Sequence, residues 1–203
     1  MKIIAFAGSN SKESINHQLA IYTASLFDKS QTTTLNLNDY EVAIYSVDKE
    51  KENGIPDKIM KFASTIDDAD LLVISLAEHN GSYTVAFKNI YDWLSRIPNR
   101  KVFNNVPVFL LATSPGERGA TTVLNSALSR FPRDGSEVLD TFSLPSFYDN
   151  FNNKEISTVR NRLDLIRKVN FIKKNTFSQF YRDDSFTCSV NPNRGNCGDA
   201  IEY

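Results

Sequence analysis

Cysteine is nearly absent from this 203-residue chain, and the two present, Cys188 and Cys197, both fall in the last sixteen residues. That excludes a disulfide framework of the kind that holds small secreted folds together. A bond between the two cysteines is not expected in a reducing compartment. Histidine is equally scarce, and His17 and His79 alone argue against a zinc site. No apolar run approaches the roughly 20 residues of a membrane span. Met1-Lys2 leads straight into an apolar segment rather than a signal peptide, so a cytoplasmic location is expected. Charge of one sign is missing too: 23 basic against 24 acidic residues leave a net charge of −1. Such a balance creates no long-range field for nucleic acid or an anionic membrane, so partners must be argued locally.

What the chain does have is short apolar runs alternating with amphipathic stretches. Residues 2–7, 69–75 and 106–112 read as strands buried on both faces, with Pro107 tolerable only near a strand start. Residues 32–37 and 138–144 complete a set of five. Between them, Ile15, Leu19, Tyr22 and Leu26 mark the stripe of a first helix, for which Ser14 is a good N-cap. Ile59, Phe62, Ala63 and Ile66 mark a second, and Tyr83, Phe87, Ile90, Tyr91 and Leu94 a third. A fourth helix spans about 119–130 and the last about 154–171. The stretch 39–56 reads as an irregular, acid-rich surface loop. One domain over residues 1–175 is expected, followed by an irregular tail at 176–203.

Strands alternating with helices make a doubly wound α/β domain with a parallel sheet. The expected architecture is a flavodoxin-like three-layer α/β/α sandwich with five strands in the order 2-1-3-4-5. Ligands of such sheets bind beyond the strands' carboxyl ends where strand order reverses, here between the first and third strands. The loops that meet there are Gly8 to Ser14 and Leu76 to Tyr83, and these two and Thr113 to Gly119 are rich in Gly, Ser and Asn. The first loop delivers the chain to a helix N-terminus, whose free N–H groups and dipole favour a phosphate, with Lys12 the one cation. Neither a Walker motif nor a three-glycine dinucleotide fingerprint is present. An ordinary polar turn and cap is the competing reading of that loop. In the second loop, Asn80-Gly81 forms a turn small enough for backbone N–H groups to approach a flat ligand.

Taken together, these loops resemble those of the NADPH- or NADH-dependent FMN reductases, a flavodoxin-like group that includes quinone, azo-dye and chromate reductases. The resemblance lies in Gly8-Ser9, Ser14 and Asn16; in Glu78, Asn80-Gly81-Ser82, Lys88-Asn89 and Asp92-Trp93-Leu94-Ser95-Arg96; and in Thr113-Ser114-Pro115-Gly116 with Gly119. It covers about residues 1–170. It implies that Ser9, Ser11, Ser14, Ile15 and Asn16 surround the ribityl phosphate of FMN. It implies that Glu78, His79, Asn80, Gly81 and Ser82 contact the isoalloxazine ring, while Ser114, Pro115, Gly116 and Gly119 line its other edge. The flavin would carry the redox chemistry, so no side chain is assigned as a catalytic acid or base.

Departures from the family pattern are Ala77 and His79 for its proline and tyrosine, and Ser11 for a common arginine. His79 could lie along the flavin edge and tune its potential, or be a plain exposed loop histidine. The implied activity is ping-pong reduction of quinones or similar small acceptors, or of flavin itself, by NADPH or NADH. A homodimer, or a tetramer built as a dimer of dimers, is expected, with Trp93 at the interface. Two other readings stay open: a flavodoxin carrying single electrons, and a regulator of the same fold that has lost flavin. The basic residues of the last helix, Arg160, Arg162, Arg167, Lys168, Lys173 and Lys174, read mainly as a solvated face. Binding of a nucleic acid or of a pyridine-nucleotide phosphate is their alternative.

Overall fold

The computed structural model describes residues 1–27 and 31–183. Its centre is a five-stranded parallel sheet formed by β1 (Ile3–Gly8), β2 (Thr32–Leu35), β3 (Leu71–Leu76), β6 (Val108–Thr113) and β7 (Val138–Leu144). Their spatial order is β2-β1-β3-β6-β7. Two small strands that form a hairpin, β4 (Glu78–His79) and β5 (Ser82–Tyr83), lie outside this sheet. The sheet order is therefore the 2-1-3-4-5 expected of a flavodoxin-like domain.

The three central strands are buried along their whole length because helices cover both faces. Period-two alternation sends their side chains into two separate cores. Ile4, Phe6, Leu72, Ile74 and Leu110 pack on one side, against helices α3 (Asp57–Asp67), α4 (Val85–Leu94) and α5 (Thr121–Arg130). Ile3, Ala5, Leu71, Val73, Phe109 and Leu111 pack on the other, against α1 (Ile15–Ser25) and α7 (Val159–Asp183). The in-register parallel pairing of Ile3 to Gly8 with Leu71 to Leu76 brings the two strand ends level, so the loops that follow start side by side.

The structure departs from the sequence reading in three places. The stretch 39–56 is ordered: a short 3-10 helix at Leu37–Tyr40 and α2 (Val47–Asn53), capped by the Ser46 hydroxyl, occupy much of it. Its connecting segment is strapped over α4. Asn89 accepts from Tyr45 N–H at 2.9 Å and donates to the carbonyls of Val42 and Ala43. Trp93 donates its indole N–H to the Ala43 carbonyl at 2.9 Å and stacks edge-on against Tyr45. With 1% of its surface exposed, Trp93 belongs to the core, and its expected place in a dimer interface is corrected. Burying the indole under the strap satisfies its one donor inside the same chain.

The last helix begins at Val159 and runs on to Asp183, so the first part of the expected tail is helical. The rest of that tail, including Cys188 and Cys197, lies outside the described residues. Between β7 and α7, one turn of helix, α6 (Phe147–Asn150), and a second small hairpin, β8 (Phe151–Asn152) with β9 (Glu155–Ile156), replace the expected helix start near Lys154. No helix among the described residues is long and apolar enough to cross a membrane.

Candidate active site

Three loops emerge side by side at the carboxyl rim of the sheet, and each is tied to another by a buried or partly buried hydrogen bond. Thr84 donates its hydroxyl to the Gly8 carbonyl at 2.8 Å while accepting from Phe87 N–H as the N-cap of α4. One threonine thus caps a helix and closes the hairpin onto the end of β1. Asn16 is 3% exposed and points inward. Its amide donates to Thr113 C=O and its oxygen accepts from Thr113 N–H, both at 3.1 Å, and from the Ser75 hydroxyl at 2.7 Å. Every one of these partners is buried, which is the condition under which such bonds hold a single geometry.

The third tie runs from the hairpin to α5. The cap position of α5 is Ala120, in a left-handed conformation, and has no side chain with which to cap. The Glu78 carboxylate takes over that task, accepting from Val123 N–H at 2.9 Å. A carboxylate on the positive end of a helix dipole is doubly favourable. The next turn follows from the hairpin itself. Asn80 and Gly81 have φ of 52° and 76°, the pair of positive values that a two-residue type I′ connection demands, and Asn-Gly is its preferred sequence. Gly81 sits over Thr122, so the hairpin tip rests on the first turn of α5.

These contacts redistribute the expected site residues. The Asn16 side chain is spent on bracing the rim, and one oxygen of the Glu78 carboxylate is spent on the start of α5. Ser14 is buried and its hydroxyl accepts from His17 N–H, so it too serves the helix. Gly119, with φ of 56°, is packed so closely that a β-carbon would stand 2.3 Å from Ser143 Oγ. It shapes the third loop from beneath and does not line its open edge. The remaining expected residues face outward: Ser9 and Ser114 half-buried, and Ser11, His79, Asn80, Gly81, Ser82, Pro115 and Gly116 exposed. Ile15 opens α1. The first intrahelical bond there is Gln18 N–H to Ser14 C=O, so the N–H groups of Ile15 and Asn16 lie ahead of it. Burial pushes the His17 imidazole below its ordinary value, keeping positive charge away from that turn.

A cleft of about 320 Å³ opens between the first loop and the hairpin, with Asn10, His79, Thr84 and Val85 among its walls and Glu41 at the strap. Asn10 and Thr84 escaped the sequence reading. Threonine three residues ahead of Phe87 carried an N-cap signal, whereas nothing in the sequence marks Asn10. Beneath the hairpin, Tyr83 stacks on Phe131 and Tyr91. Burial, with Asp134 adding to it, pushes the Tyr83 phenol up to about 12. Tyr91 donates to the Asp134 carboxylate, which also receives two bonds from Arg130, at 2.7 and 2.9 Å.

This rim, braced loop to loop at the switch point of an α/β sheet, is that of a flavodoxin-like protein. Residues 1–153 match the sequence profile of the NADPH-dependent FMN reductase family, and the chain belongs to that family. It is 29% identical over 119 residues to the quinone reductase of Escherichia coli strain K12, a stretch that is 59% of this chain and 63% of that one. The match thus spans less than two thirds of the curated relative's length. Among solved structures, the fold is similar to FerB, a flavoenzyme NAD(P)H:(acceptor) oxidoreductase from Paracoccus denitrificans. The TM-score is 0.66 at 20% identity, over 86% of this chain and 98% of that one. It is also similar to the apo form of the NADH:FMN oxidoreductase EMOB, with a TM-score of 0.62 at 16% identity over 86% of this chain and 89% of the other.

Proposed function

We propose that this chain binds FMN at the braced rim and, through it, reduces quinones or similar small acceptors, or free flavin, with hydride from NADPH or NADH. The observation that carries the reading is the set of three cross-loop bonds, Thr84 to Gly8, Asn16 to Thr113 and Glu78 to Val123, which hold all three loops of a family match in one arrangement. The rim fits the cofactor. Uncommitted N–H groups of Ile15 and Asn16 and the outward Ser9 and Ser11 would hold the phosphate with little formal charge. Ser11 in place of the common family arginine makes these neutral donors, with Lys12, the phosphate site. The tip Asn80-Gly81, with Ser82 and His79, would meet one side of the ring, and Ser114, Pro115 and Gly116 the other.

FMN, when bound, supplies the two-electron chemistry. The protein's part is to aim backbone donors and to hold them still: fixed dipoles around a ring that gains negative charge favour its reduced form without reorganising. The purified protein, reconstituted with FMN and desalted, should keep a yellow chromophore. That chromophore should then bleach with NADPH or NADH and recover with a quinone, an azo dye or free FMN. Protein that holds no flavin at saturating FMN overturns the reading. Flavin that is held but reduced by neither nicotinamide turns it toward a single-electron carrier.

The working unit is proposed to be a homodimer. With Trp93 internal, the apolar surface that supports this lies beside the cleft, where Val85 is 68% and Ile44 66% exposed. Exposed aliphatic residues rimming a cleft suit a partner surface. A cytoplasmic location is proposed on the same family membership.

A further inference from the structure

The third loop is held from behind. Its exposed run, 115–118, stands on a buried foot at Gly119 and Ala120. Four bonds join the loop and its stem to the end of β7 and the turn that follows. Thr113 donates its hydroxyl to the Leu144 carbonyl at 2.7 Å, and Ser143 donates its own to the Gly119 carbonyl at 2.8 Å. The N–H groups of Ser146 and Phe147 go to the carbonyls of Gly116 and Ser114, both at 3.0 Å. The Arg118 carbonyl is taken by Thr121 N–H at 3.1 Å. The carbonyls of Ser114, Gly116, Arg118 and Gly119 are thus committed, whereas the N–H groups of Ser114, Gly116, Glu117 and Arg118 have no acceptor among the described residues. A loop that spends its acceptors inward and keeps its donors favours negative charge beside it.

This clamp depends on one unusual turn. Ser146 has φ of 44° and ψ of 60°, a left-handed conformation that residues other than glycine hold only where their surroundings enforce it. Asn150 enforces it. Its amide donates to the Pro145 carbonyl at 2.9 Å and to the Ser146 carbonyl at 3.3 Å, and its side-chain oxygen accepts from the Thr158 hydroxyl just ahead of α7. One side chain therefore ties the start of α7 to the turn whose N–H groups grip Gly116 and Ser114. It makes no hydrogen bond to the loop itself.

We propose that Asn150 and Ser143 are positioning residues for the third loop: by holding the turn at Ser146 and the foot at Gly119, they aim the loop's unspent N–H groups at the ring and so favour its reduced form. The inference rests on the proposed binding of FMN and adds to it which remote residues set the potential. Fixed donors beside a group that gains negative charge stabilise the charged form only while their direction is held, because a donor that must turn back loses part of its advantage to reorganisation. Loosening the clamp therefore weakens the hold on reduced flavin more than on oxidised flavin. A merely structural role would lower stability and leave that ratio alone.

The test is spectroelectrochemistry of the FMN-loaded protein, with urea denaturation of the same samples. Asn150→Ala and Ser143→Ala should each lower the affinity for reduced relative to oxidised FMN about tenfold, a midpoint more negative by about 30 mV for a two-electron couple. Adding Ser146→Gly to Asn150→Ala should restore most of the potential, because glycine takes the left-handed conformation unaided. Ile172→Val, a core truncation roughly 20 Å along α7 from its start, should lower the denaturation midpoint without moving the potential. A potential unchanged in either single variant, or a shift that Ser146→Gly does not reverse, overturns the inference. Failure of the wild type to hold FMN overturns the proposed function instead. Amide NMR of the flavin-free protein then decides the positioning: the Gly116, Glu117 and Arg118 resonances should move in Asn150→Ala and return in the double variant, and resonances that stay in place overturn it.

Discussion

Asn16 and Glu78 show how a polar side chain at a functional rim can be occupied by the protein rather than by its ligand. Replacing Asn16 by Ala strands the Thr113 N–H and C=O and the Ser75 hydroxyl in a buried place, at a cost of about 3 kcal/mol. Urea denaturation of the Asn16→Ala protein should show a lowered midpoint with an unchanged slope. Glu78→Ala should cost about 1 to 2 kcal/mol through loss of the α5 cap, and Glu78→Gln less, since it keeps an acceptor. The same pair of variants compared by FMN titration should rank alanine weaker than glutamine. His79, on the cleft wall, is the residue to change for potential rather than stability. His79→Ala should shift the flavin midpoint potential, and an unchanged potential would discard the role.

Tyr83 brings a pH dependence of known sign. Its phenol is held up to about 12 in the folded chain, while the unfolded chain releases that proton near the ordinary value of about 10. Tyr91 is shifted the same way by burial and by its bond to Asp134. The folded state therefore binds more protons than the unfolded state above about pH 10, and stability falls as pH rises toward the folded value. Below that range neither tyrosine contributes a slope. Denaturation midpoints at successive alkaline pH should decline in the wild type and decline less in Tyr83→Phe.

At the level of elements, the strap over α4 is the feature that sequence periodicity could not reveal. Residues 41–46 have no helical or strand period, and their order comes from Asn89, Trp93 and the pair Glu50–Arg96 on distant stretches. Asn89→Ala removes three bonds at once and should open the strap, so limited proteolysis should cut between about residues 41 and 46 in the variant but not in the wild type. The strands were legible because burial on both faces writes a continuous apolar run, as in Leu71 to Ile74. The hairpin at Asn80-Gly81 was legible as a turn, because only certain residues accept two positive φ values in succession. The directions of Asn16 and Glu78 were not, since a polar residue at a helix start or in a hairpin strand looks the same whether it faces a ligand, Thr113 or the start of α5. The end of α7 was placed too early, near Phe171 instead of Asp183, because the polar run Lys173-Lys174-Asn175 interrupts the apolar pattern while the backbone stays helical.

For the whole molecule, with Trp93 covered, the exposed aliphatic residues Val85 and Ile44 beside the cleft are the proposed subunit contact. Val85→Glu should therefore shift sedimentation toward the monomer at micromolar concentration while leaving the fold intact, because Val85 contributes little to the core. A wild type that sediments as a monomer under those conditions removes the dimer altogether. Under the proposed function, the chemistry sits at the carboxyl rim of the sheet, where the three braced loops meet.

The bond from Glu78 to Val123 joins parts of the chain that are 45 positions apart. Transplanting residues 77–84 alone from a relative would bring in a new tip without the seat it was fitted to. A chimaera that also carries residues 119–123 should accept the graft. In this protein, altering acceptor preference by loop exchange means moving two segments together.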